Sequence, residues 1–205
     1  MPQYEYPLRL SKMVSRIAIP TFPIEVANHD GVALFVGREK LRIFSANSIH
    51  VFSAAKAGKK EAERYQILDH SEKGVDRGFR FVSSADRRPV GKILQHKRNE
   101  MVLIDISDPY GKPVASAADN VYERLKAVMK SFVSGGSMKV LDTTSPLQFR
   151  SASQTPMFSL LPLDTTGSTQ LTLESPDVSA AHEKCILLSA ITLMFWWQHD
   201  ESAGS

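Results

Sequence analysis

A chain of 205 residues, 42% apolar and 23% charged, can bury one good-sized core and is too apolar to stay disordered. A formal net charge of +3 and a pI near 9.0 are mildly basic and fall short of a dedicated nucleic-acid binder. The single cysteine, Cys185, excludes a disulfide within the chain and reads as a buried, inert thiol.

The first residues, "MPQYEYPLRLSKMVSR", carry neither a continuous apolar core nor a small-residue cleavage site, so no signal peptide is expected. "FPIEVANHDGVALFVGRE" alternates through Phe22, Ile24 and Val26, turns at "NHDG" and resumes at Val32 to Val36. Asp30-Gly31 is a hairpin signal, because such turns need positive φ angles. "LRIFSANSIHVFSA" alternates at Leu41, Ile43, Ile49 and Val51 around an "ANS" turn. "AAKAGKKEAE" reads as a polar loop, and "RYQILDH" as the next extended run.

Two segments then resemble each other, "FRFVSSADRRPVGKIL" (79–94) and "MVLIDISDPYGKPVASA" (101–117). Each runs strand, polar turn with Asp, a basic residue, Pro-Val and a small residue, so Arg88-Pro89-Val90-Gly91 matches Lys112-Pro113-Val114-Ala115. The "HDGVALFVG" hairpin is a looser third copy. A Pro opening each second strand suits a strand start, where the missing N–H matters least. The irregular period argues against a solenoid.

"ADNVYERLKAVMKSFVSGG" places Val121, Leu125, Val128, Met129 and Phe132 on one stripe, which predicts an amphipathic surface helix over about 119–133. Asp119 or Asn120 would cap it and Gly135-Gly136 would stop it. Arg124, Lys126 and Lys130 would form its solvated face, or a basic face for an anionic membrane or partner. The following Ser/Thr/Pro-rich stretch reads as one more hairpin, with strands at Met157–Leu163 and Gln170–Leu173 around "DTTG", and not as a linker.

The last helix is expected over about 176–198, with Ser175 as N-cap, Pro176 first and Asp177 at the positive end of the dipole. From Cys185 to Trp197 it is apolar all round, so protein or lipid must enclose it. Thirteen residues at ~1.5 Å each cover ~20 Å, short of a ~30 Å hydrocarbon core. His182, Glu183 and Lys184 bracket one side of the run, and His199, Asp200 and Glu201 the other. A core helix is therefore preferred to a tail anchor, although Trp196 and Trp197 would suit a membrane interface. Many strands before a wholly apolar helix suggest a closed antiparallel β-barrel around it, a mostly β (α+β) fold. The reading is one domain over 1–205, with barrel strands at about 6–117 and 138–174 and a tail at 199–205. Cys185, Leu188, Ile191, Leu193, Phe195 and Trp196 would make the core face of the helix.

"FPIEVANHDGVALFVGREKLRIF", "FRFVSSADRRPVGKI", "DISDPYGKPVASA" and "KCILLSAITLMFWW" together resemble the tubby-like barrel superfamily. That group includes the phospholipid scramblases, the LURP-one-related proteins and the tubby C-terminal domain. The resemblance covers about residues 6–198. It implies a twelve-stranded barrel around a central C-terminal helix, with lipid association or phospholipid scrambling as the activity. The acidic stretch expected beside the helix of calcium-dependent scramblases is missing, since "LTLESPDVSAAHEK" offers only Glu174, Asp177 and Glu183.

No catalytic constellation is expected. His29, His50, His70, His96, His182 and His199 form no HExxH, and no cysteine pair supplies a zinc site. His29-Asp30 reads as turn chemistry. Asp105 and Asp108 are spaced like part of a calcium loop whose other ligands are absent. There is no Gly-x-Ser-x-Gly, P-loop or Rossmann fingerprint. No metal or cofactor is therefore expected. The basic residues remain, with Arg87, Arg88, Lys92, Lys97 and Arg98 around one hairpin and Lys56, Lys59 and Lys60 in the "KAGKK" loop. They read either as solvated surface or as attraction to anionic phospholipid headgroups; phosphoinositides as the lipid are what the resemblance to tubby domains implies. Nucleic acid is not expected, because aromatics do not interleave with these bases. The expected location is the cytoplasm or the cytoplasmic face of a membrane, and the alternatives for function are a soluble protein-interaction scaffold or a tail-anchored β domain.

Overall fold

A computed structural model describes residues 2–13, 23–40, 48–54, 61–98, 101–120, 146–161 and 168–202, with backbone alone at 40, 97, 98, 119, 120 and 197–202. The described residues form twelve strands and one helix: β1 (Leu8–Lys12), β2 (Ile24–Ala27), β3 (Ala33–Lys40), β4 (Ser48–Ser53), β5 (Ala62–Asp69), β6 (Arg77–Ser83), β7 (Pro89–Arg98), β8 (Met101–Ser107), β9 (Pro113–Asn120), β10 (Leu147–Arg150), β11 (Pro156–Leu160), β12 (Ser168–Leu173) and α1 (Ala180–Ser202). Each strand pairs antiparallel with its neighbours in sequence, and β1 returns to β12, Leu8 opposite Leu171, to close the barrel. Closure gives every strand two neighbours, with β9 and β10 joined through the single pair Arg150–Ser116.

Alternation along the strands turns one row inward. Leu8 and Leu10, Ile24 and Val26, Ile104 and Ile106, and Phe158 and Leu160 are buried. α1 enters from the end where the 28–32, 84–88, 108–112 and 151–155 turns lie, and runs toward the other end. It packs on β7 and β8 and also on β2, while Ile191 and Phe195 lie against Gly37 of β3. β2–β3 and β7–β8 stand on opposite sides of the ring, so the helix lies inside it. Every residue from Cys185 to Trp196 is at most 7% exposed. Each buried Leu, Ile, Met or Phe in this run stabilises the fold by ~1.5–3 kcal/mol. Ser189 Oγ donates to the Cys185 carbonyl (2.7 Å) and Thr192 Oγ1 to that of Leu188 (2.8 Å), which settles the two hydroxyls inside the apolar run. No helix among the described residues is long and apolar enough to cross a membrane.

At Gly91 of β7 the helix and the wall come close together. A Cβ there would stand 2.6 Å from the Ser107 carbonyl oxygen and 2.7 Å from Cys185 Sγ. The bare backbone lets the Cys185 thiol donate to Val90 O at 2.9 Å. Burial, with a smaller contribution from the Asp108 charge, pushes that thiol up to about 12.

The similarity among the sequence's hairpins has a structural cause. Three turns share one hydrogen-bond pattern. The Gly31 N–H donates to Asn28 O and the Val32 N–H to Asn28 Oδ1; the Gly111 N–H donates to Asp108 O and the Lys112 N–H to Asp108 Oδ1; the Gln154 N–H donates to Ser151 O and the Thr155 N–H to Ser151 Oγ. The fourth residue of each has a positive φ, 77° at Gly31, 81° at Gly111 and 64° at Gln154. Ser83–Arg88 is a longer relative with Arg87 at φ 60°. Register shifts precede all four turns, between Val26/Ala27, Phe81/Val82, Ile106/Ser107 and Phe149/Arg150. Such bulges tighten twist and help a sheet curl closed. Asn28, rather than His29-Asp30, holds the first turn. β7 and β9 open at Pro89 and Pro113, as the sequence suggests.

Three expectations need correction. α1 starts at Ala180 instead of 176, with Ser179 as its cap, since the His182 N–H donates to Ser179 Oγ at 3.2 Å. It runs through Ser202, so residues 199–202 continue the helix. Asp119 and Asn120 cap no helix; they end β9, opposite Val102 and Met101, and the remainder of the 119–133 helix lies outside the described residues. The Ser/Thr/Pro-rich stretch holds a further strand, β10, which pairs with β11 and, through Arg150 opposite Ser116, with β9. Of the "ANS" turn only Ser48 is described, and it opens β4; the "DTTG" turn lies outside the described residues.

Candidate functional site

The basic residues singled out in the sequence do not form one patch. Arg87 and Arg88 sit in the β6–β7 turn, Lys92 is midway along β7, and Lys97 and Arg98 end it. Ten residues of strand separate Arg88 from Arg98 by ~33 Å. Lys92 Nζ is 2.8 Å from Glu72, Arg88 Nε is 3.2 Å from Asp86, and Arg87 donates to Gln66 Oε1 at 2.5 Å. Lys97 and Arg98 stand opposite Val102 and Met101 in the backbone register. Lys56, Lys59 and Lys60 lie outside the described residues.

The densest polar network is on the outer wall. Ser48 and His50 share one face of β4 by strand alternation. Ser48 Oγ lies 3.1 Å from His50 Nε2, and His50 Nδ1 lies 2.9 Å from Glu63 Oε2. Gln66 Nε2 and Ser84 Oγ donate to the other carboxylate oxygen at 2.6 and 2.8 Å. Burial works against the Glu63 charge, but the bonds from His50, Gln66 and Ser84 outweigh it and hold the carboxyl at about 2. Ser–His–carboxylate order is that of acyl-transfer enzymes. Here, however, Ser48 is only 5% exposed, and neither pocket described below is lined by it. The chain of bonds instead ties β4 to β5 and to the β6–β7 turn.

A groove of about 410 Å³ runs along the outside of β1 and β12, under the β2–β3 turn. Arg9 stands on β1 opposite Gln170 of β12 and Ala27 of β2. Its guanidinium donates to Ser168 Oγ at 3.2 Å. Arg9 is the one lining side chain among the described residues with a permanent charge. Asn28, His29, Thr169 and Gln170 add polar groups, and Pro7 and the 39%-exposed Leu161 an apolar margin. Thr169 Oγ1 is turned to Leu161 O.

At the end where α1 enters, the N-terminal residues cross the barrel. Glu183, fully buried, accepts from the Gln3 and Tyr4 N–H groups (2.7 and 3.1 Å) and from the Tyr6 hydroxyl (3.2 Å). Burial and the nearby Glu183 charge push the Tyr6 hydroxyl well above its ordinary range. The other end holds a second pocket of about 390 Å³, beside Asp69, Phe79 and Trp196.

Candidate ligand sets for metals are sparse. Asp108 holds a turn, and Asp105 lies on the outer wall 3.5 Å from His96. Glu5, His29 and Asp30 bring three ligand atoms within 4.8 Å of one another, all exposed; this is the arrangement of a solvated ion cluster.

The sequence does not single out Arg9 or the pairing of His50 with Glu63, and Glu183 stands out there only as a charge flanking the apolar run and as one of three acidic residues before the helix. Ser48-x-His50 carries the period of a strand face, but its link to Glu63 depends on the β4–β5 register, which no local pattern encodes. Arg9 is a lone cation in an unremarkable strand, and gains meaning only when β12 closes on β1. No known protein family model matches the chain, and no curated protein or solved structure matches it significantly.

Proposed function

We propose that the protein is a non-enzymatic, peripheral membrane-binding barrel of the tubby-like kind, which takes an anionic phospholipid headgroup in the groove beside Arg9. The observation that carries this reading is the groove's composition: one guanidinium, several amide and hydroxyl groups, and an apolar margin at Pro7 and Leu161. A volume of about 410 Å³ falls within the range of small-ligand sites. Because α1 fills the interior, a headgroup is left the outer wall. The resemblance in strand and helix pattern supports the same reading. The basic residues of β7 and of the turn before it contribute less, since Lys92 and Arg88 are already paired with carboxylates.

One cation near an anionic surface contributes ~1 kcal/mol, screened by salt. Flotation with vesicles of phosphatidylcholine, with and without phosphatidylserine or a phosphoinositide, tests the proposal. Binding should require the anionic lipid, fall at high salt, and weaken about fivefold in Arg9→Gln. A protein that stays with the unbound fraction at low salt, or an Arg9→Gln variant that floats like the parent, would overturn it. The first result would favour a soluble interaction scaffold.

A further inference from the structure

The pocket at the far end of the barrel has the opposite chemistry to the Arg9 groove. Asp69 ends β5 directly opposite Phe79 of β6, two residues beyond the inward pair Ile67–Phe81 along the same face. The row thus finishes at the barrel rim in an exposed carboxylate, on the residue paired with Phe79. The Asp69 carboxylate has no partner among the described residues. Phe79 and Trp196 meet with ring centroids 5.8 Å apart at 45°. His70, Asp76 and Arg77 also line the space, so two carboxylates stand against one permanent cation and one imidazole. Trp196 is 7% exposed, and its Nε1 is buried with no acceptor among the described residues. An unmatched buried donor costs ~1–3 kcal/mol.

We infer that this pocket binds a small alkylated ammonium compound carrying an oxygen acceptor. That chemistry is shared by free choline or betaine and by the choline headgroup of a phospholipid. The cation lies by Asp69 with its methyl groups against Phe79 and Trp196, the arrangement by which aromatic faces recognise quaternary ammonium. The ligand oxygen accepts from Trp196 Nε1 once the ring turns into the pocket. Anions are disfavoured by the excess of carboxylate. The inference is independent of the Arg9 groove, which lies elsewhere on the barrel.

Titration of ¹⁵N-labelled protein with choline, betaine and tetramethylammonium, following the indole N–H signals, tests it. Trp196→Phe assigns the signal. Choline and betaine should move the Trp196 indole proton downfield and saturably, whereas tetramethylammonium, which lacks an acceptor, should bind without that shift. Asp69→Asn, checked for an unchanged thermal midpoint, should weaken choline about fivefold. Competition by phosphatidylcholine vesicles would identify a lipid headgroup as the source, and its absence a free solute. An indole signal that does not respond to choline or betaine would overturn the inference, as would equal affinity in Asp69→Asn.

Discussion

Gly91→Ala tests the close contact between helix and wall at β7. The added methyl would meet Ser107 O at 2.6 Å and Cys185 Sγ at 2.7 Å, both well inside van der Waals contact, and one of them backbone in the paired strand β8. Overpacking of this kind costs ~1–3 kcal/mol, and with a backbone atom unable to swing aside the upper part applies, about 2–3 kcal/mol. In a chain of this size each kcal/mol moves the midpoint by ~2–4 °C, so Gly91→Ala should lower it by about 5–10 °C. Cys185→Ala alone loses the Sγ–Val90 O bond and some packing, about 1 kcal/mol. In the double variant the sulfur clash is gone, so the two losses should fall short of additive by about 1 kcal/mol. The carbonyl clash with Ser107 remains and prevents full recovery. Thermal and urea unfolding of the four proteins give the cycle. Strict additivity, or a Gly91→Ala midpoint within a degree of the parent, would refute the packing of α1 on β7.

Glu63, with its carboxyl held at about 2 against an ordinary 4.5, should contribute stability that is whole above pH 4.5 and lost as pH falls through about 2. After allowance for solvent screening this is about 2 kcal/mol. Glu63→Gln should therefore unfold about 5 °C lower than the parent at neutral pH and converge with it near pH 2; a constant gap across that range would contradict the stabilising role of the bonds to Glu63. Glu183→Ala leaves two amides and a hydroxyl without their acceptor at a partly buried site and should cost ~1–3 kcal/mol, with amide exchange at Gln3 and Tyr4 faster by at least tenfold. Unchanged exchange there would remove the proposed tie across the barrel end. The Cys185 thiol, pushed up to about 12, should resist iodoacetamide at pH 8 until urea unfolds the chain. Labelling at the rate of a free thiol would show that the helix is accessible.

Much of the architecture is legible in the chain because its causes are local. Asn28, Asp108 and Ser151 each start a five-residue turn whose hydrogen bonds close within that turn, so similar segments in sequence become similar hairpins. The run from Cys185 to Trp196 is apolar on every side, and only enclosure satisfies it. The helix start is less legible, because Ser175-Pro176-Asp177 carries the same capping signals as Ser179, and only the geometry of entry into the barrel selects the latter. β10 is hidden in "LQFR", four residues with too few periods to stand out. The sites are least legible. Arg9 meets Gln170, Glu63 meets His50, and Glu183 meets Gln3 across strand registers or chain separations of up to 180 residues. The basic residues of β7 are clustered in sequence, but an extended strand separates them in space.

Hydrogen exchange at residues 185–196, measured with and without anionic vesicles, tests most directly the claim that lipid is met by the outer wall of a filled barrel. The amides of this run should be the slowest in the chain in water alone, and should stay equally slow when vesicles bind, while protection by lipid falls on the β1–β12 groove around Arg9. Fast exchange of 185–196 in water that slows only on vesicle binding would place the helix in the bilayer and contradict the account.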